Sequence, residues 1–119
     1  MMRLFGLALA IAVAATGCSE PKATDAIGRG MQVYREKACG SCHQIGSDGG
    51  TIGPPLTHIG TVAVTRAPGM DAEAYIVESV LDPGAYVVPG YPDTMPRGLG
   101  SGLSQEDFDD LVRYLLTLK

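Results

Sequence analysis

Residues 46–102 hold 11 of the chain's 16 glycines and 7 of its 8 prolines, so nearly half of the 119 residues lie where long regular elements are repeatedly interrupted. The stretch has no three-residue period and no low-complexity tract, which excludes a collagen-like chain and a disordered one. Helical periodicity survives on either side of it and once within it. Behind Asp25, a good N-cap, Ile27, Met31 and Tyr34 share a stripe at i, i+4, i+7, with Gly30 on the same side. Asp71 opens a second helix carrying Tyr75, Ile76, Val77, Val80 and Leu81, which Pro83 stops at Asp82. Ser104 caps a third, with Glu106, Asp107, Asp109 and Asp110 near its positive end, Lys119 at its negative end, and Phe108, Leu111, Val112, Leu115 and Leu118 as its buried stripe. Tyr86-Val87-Val88 extends only locally, so the pattern predicts an all-α fold of three main helices. Three short helices in a chain of this size make a poor core, and the long loops need a large apolar body to wrap around.

The run Cys39-Gly40-Ser41-Cys42-His43, at the end of the first predicted helix, names that body. Two cysteines three apart on one helical turn can reach both vinyl groups of a porphyrin edge, while the adjacent imidazole turns under the ring toward iron. This is the pattern for covalent attachment of one c-type haem, with His43 as proximal ligand. A thioredoxin-like dithiol is expected after a strand of a βαβ unit, which is missing. A zinc site needs a second ligand pair that no cysteine remains to supply, because the chain has only 3.

The third, Cys18, ends a different pattern. Residues 4–15 are an apolar run behind Arg3, about a dozen long, whereas spanning a bilayer takes roughly 20. The run fits a signal-peptide core and leads into Ala15-Thr16-Gly17-Cys18. Those four resemble a bacterial lipobox, with Ala15 where leucine is usual, of the kind cut before the cysteine and acylated on its sulfur. Residues 1–17 are therefore read as a lipoprotein signal peptide, 18–25 as a lipidated cysteine and tether, and 26–119 as the folded domain. More than one acyl chain, at ~0.8 kcal/mol per buried CH₂, holds a protein on a membrane stably.

The opposite face of the iron has Met31, Met70, Met95 and His58 as candidates. Met31 lies on the predicted packing stripe and Met70 against a helix start, where methionine fills core gaps. His58 follows His43 by only 15 residues, beside Pro54 and Pro55. Met95 lies in the stiff loop Gly90-Tyr91-Pro92-Asp93-Thr94-Met95-Pro96, 52 residues after His43, long enough to pass around the ring. It is the expected sixth ligand. Tyr86, Tyr91 and Arg97, from the flanking loops, are candidates to contact the haem carboxylates, the alternative being that they are solvated loop residues.

The first helix, the attachment motif, Gly53-Pro54-Pro55-Leu56, the middle helix, the 91–96 loop and the last helix together resemble a class I monohaem cytochrome c over roughly residues 26–119. The resemblance implies that Gly30 and Tyr34 let the last helix cross the first closely, facing Tyr114 or Leu115, and that the Pro54 carbonyl receives the proximal imidazole N–H. The stretch from Tyr75 to Ser104 is similar to lipoprotein or fused cytochrome c domains serving bacterial quinol-oxidising complexes and haem-copper oxidases. It implies a tethered one-electron carrier, not an enzyme, on the periplasmic or extracytoplasmic face of a bacterial membrane. Its redox partners would be a quinol-oxidising complex, a terminal oxidase or a reaction centre. A haem enzyme or gas sensor, with an open or labile sixth position, is the rival class. The net charge of −4 argues against a nucleic-acid partner, which needs a concentrated basic face, and departs from the lysine collar of the soluble mitochondrial type.

Overall fold

The computed structural model describes residues 23–119. The predicted signal segment, Cys18 and the tether up to residue 22 lie outside the described residues. Four α-helices and a 3-10 turn follow in order: α1 (Ala26–Glu36), the turn Cys39–Ser41, α2 (Ile59–Arg66), α3 (Ala72–Leu81) and α4 (Gln105–Thr117). Among the described residues there is no strand, only an isolated bridge between Ile45 and Asp48, and residues 86–88 run as loop. The fold is all-α.

The expected caps form. Asp25 accepts from the Gly28 amide at 2.8 Å, Asp71 from Ala74 at 2.8 Å and Ser104 from Asp107 at 3.1 Å. Each satisfies an amide that the first helical turn leaves unpaired. Helix α2 has no counterpart in the predicted three. Five of its eight residues are β-branched and one is glycine, so its intrinsic propensity is poor. Packing supplies what propensity lacks: Ile59 and Ala63 are buried, the Gly60 amide donates to Leu118 O at 2.8 Å, and Lys119 Nζ donates to Gly60 O at 3.1 Å.

The core is built on the crossing of α1 and α4. A Cβ on Gly30 would run into the Asp110 carbonyl and lie 2.7 Å from Tyr114 Cβ, so only glycine lets the two backbones approach this closely. Tyr114 faces Gly30, and its ring meets that of Tyr34 edge-on with centroids 5.9 Å apart. This contact corrects the predicted α1 stripe. Gly30, Val33 and Tyr34 are the buried residues, whereas Ile27 and Met31 are exposed. At 3.6 residues per turn Met31 points roughly 100° away from Gly30, and once Gly30 marks the contact line Met31 leaves it. On α3, Leu81 is likewise exposed while Tyr75, Ile76 and Val80 are buried.

Asp110, one of the acidic residues near the start of α4, is fully buried. Arg29 Nε approaches its Oδ2 at 2.6 Å across the helix crossing, and Arg113 Nη1 its Oδ1 at 3.0 Å. The Arg29 hydrogen bond holds the Asp110 carboxyl below its ordinary value against the opposing pull of burial.

Candidate functional site

Between α1 and the 3-10 turn, Ala38 takes a left-handed conformation, φ 54°. A non-glycine residue there stores about 1–2 kcal/mol, and the conformation ends α1 and turns the chain into Cys39. The following turn is closed by the amides of Cys42 and His43, which both donate to Cys39 O at 3.2 and 3.0 Å. Cys39 and Cys42 are not joined in a disulfide and line the same cavity as His43. Burial pushes the Cys39 thiol up, with the neighbouring Cys42 adding to the shift.

The next loop folds back on this turn. Gly50 and Gly53 donate to Gly40 O and Cys42 O at 2.9 and 2.8 Å, and Leu56 to Gln44 O at 2.8 Å. Tyr34 Oη donates to His43 O at 3.1 Å, and burial raises that hydroxyl to about 12. His43 Nδ1 lies 2.7 Å from Pro54 O. Because a carbonyl only accepts, Nδ1 carries the proton and a neutral His43 keeps the Nε2 lone pair for a metal. A Cβ on Gly53 would lie 2.8 Å from Nδ1 and 2.5 Å from Cε1, so the ring rests against bare backbone.

The cavity beside His43 measures about 230 Å³. Leu56, Ile59, Tyr75, Ile76, Val80, Leu111 and Leu115 supply its apolar inner wall, drawn from α2, α3, α4 and the loop before α2, and Tyr86, Val88, Tyr91, Met95 and Leu99 close its far side. The model of the Cytochrome c family matches residues 27–119. The chain belongs to the cytochrome c family. A comparison with curated proteins found no match.

Membership in the cytochrome c family implies a covalently bound haem c, haem-based electron transfer and redox partners. The donor set of this cytochrome c fits that group: two thiols one turn apart for thioether bonds, an imidazole oriented through its far nitrogen, a thioether and apolar walls. Of the candidates for a second iron ligand, Met95 alone lines the cavity; Met31, Met70 and His58 do not. His58 is exposed at the start of α2. Tyr86 and Tyr91 line the cavity. The Arg97 guanidinium is engaged by Asp93 and by the Met95 carbonyl, and Arg97 does not line the cavity. A cation the sequence reading passed over, Arg66, does line it, from the last turn of α2. The signal for it was the Ile59, Ala63, Ala67 spacing, which marks a buried helical face ending beside Arg66.

Proposed function

We propose that this cytochrome c is a membrane-tethered one-electron carrier whose haem c is joined to Cys39 and Cys42 and ligated by His43 Nε2 and the Met95 sulfur. The carrying observation is that Met95, alone among the sulfur and imidazole candidates, lines the cavity of His43, whose Nδ1 proton is fixed by Pro54. When bound, haem c supplies reversible one-electron exchange between Fe(III) and Fe(II). The Pro54 carbonyl holds the Nδ1 proton and so raises the basicity of Nε2. The Met95 thioether favours the ferrous state over what a second imidazole would give, and the apolar walls penalise the additional positive charge of the ferric state. Both push the potential upward. Arg66, Tyr86 and Tyr91 supply donors for the haem carboxylates.

Acyl chains on Cys18 tether the domain to the periplasmic or extracytoplasmic face of a bacterial membrane. Support for this is the short apolar run ending in Ala15-Thr16-Gly17-Cys18. Among the described residues no helix is long and apolar enough to cross a bilayer. The acidic balance of the chain suits a basic docking face on a quinol-oxidising complex, terminal oxidase or reaction centre.

The test is spectroscopic. Matured ferric protein is expected to show a methionine–iron charge-transfer band that vanishes in Met95→Ala, and the wild-type ferrous protein is expected to resist carbon monoxide. Prompt carbon monoxide binding by the wild type would instead support a haem enzyme or gas sensor with an open sixth position.

A further inference from the structure

The loop that presents Met95 has little backbone support of its own. Its hydrogen bonds, from Tyr91 to Val88 O at 3.1 Å and from Thr94 to Pro92 O at 3.0 Å, both lie before Met95. Beyond it one planar group gathers the loop. Arg97 Nη1 donates to Met95 O at 3.0 Å, and Nη2 sits 2.9 and 3.0 Å from the two oxygens of Asp93. The same guanidinium lies against Gly84, where a Cβ would collide with Nη2 and come within 3.0 Å of Cζ. Gly84 belongs to the turn that follows α3, closed by the Ala85 amide on Asp82 O at 3.0 Å, and α3 itself walls the cavity.

We infer that Arg97 is a positioning residue: its guanidinium, seated on Gly84, ties the Met95 loop to the end of α3 and holds the Met95 sulfur at the iron. The inference rests on the proposed Met95 ligation. Arg97 and Asp93 are each about half exposed, 52 % and 51 %, so their ion pair adds little to global stability. Its effect falls on where the loop sits. A lysine offers a point charge in place of a planar fork and cannot serve the Met95 carbonyl and the Asp93 carboxylate in that plane.

The experiment compares matured wild type, Arg97→Ala, Arg97→Lys, Gly84→Ala and Met95→Ala by ferric charge-transfer band, ferrous carbon monoxide association rate and thermal midpoint. Gly84→Ala retains every charge and displaces the guanidinium. Arg97→Ala and Gly84→Ala are each expected to weaken the band and to raise the carbon monoxide rate about tenfold, the factor one charge-assisted hydrogen bond supplies. The thermal midpoint should stay near that of wild type, and Arg97→Lys should resemble Arg97→Ala. An intact band and unchanged rate in both Arg97→Ala and Gly84→Ala overturn the clamp alone. A wild-type protein without the band overturns Met95 ligation and the clamp with it. Should either variant fail to mature, Asp93→Asn decides by the same readouts.

Discussion

Gly53 and Asp110 carry the sharpest consequences of single atoms in this chain. A methyl group on Gly53 must push the His43 ring, since the added carbon would lie 2.5–3.0 Å from three ring atoms. Gly53→Ala is therefore expected to rotate the imidazole and shift the g-values of the ferric protein in electron paramagnetic resonance; an unchanged spectrum would contradict the packing described. Asp110 has its folded-state pKa lowered by Arg29 first and Arg113 after it. A depressed carboxylate gives stability that is fully present above its unfolded value, about 3.9, and is lost as pH falls through the lower folded value. Urea unfolding across that acid range should weaken the wild type more steeply than Asp110→Asn. The acidic run from Glu106 to Asp110 did not disclose which member is buried, because a carboxylate goes inside only when partners from elsewhere meet it, and Arg29 lies 81 positions away.

Helices α1, α3 and α4 were legible to within a residue or so because their caps and stops are local chemistry: Asp25, Asp71 and Ser104 satisfy amides three positions on, and Pro83 bars continuation. Helix α2 was not, since its propensity is poor and its helical state depends on contacts with α3 and α4. The buried face of α1 was only half legible, because periodicity gives the spacing of a stripe and the partner chooses which stripe is used. Gly30 makes that choice measurable. Gly30→Ala gains about 1 kcal/mol of intrinsic helix propensity, yet its methyl group meets the Asp110 carbonyl and Tyr114. Overpacking of this kind costs typically 1–3 kcal/mol. The expected outcome is a net loss of up to about 2 kcal/mol by denaturant unfolding of the holoprotein, and a gain would show that the helices can separate freely.

Across the whole molecule, the loops that hold most of the glycine and proline close around one cavity, and its walls come from every helix. The proposed membrane tether belongs to this scale as well. In matured wild-type protein, mass spectrometry of the N-terminal peptide is expected to show acyl chains on Cys18; an unacylated Cys18 would rule out the lipid anchor. The sequence by itself determined the all-α class, the attachment motif and three of the helices, since each rests on short-range stereochemistry. Tertiary structure alone decided that Asp110 is interior, that residues 59–66 coil into a helix, that Arg66 lines the cavity, and that Arg97 grips the Met95 loop. Those outcomes come from groups distant in sequence meeting in space, where burial and hydrogen bonding between elements outweigh local preference.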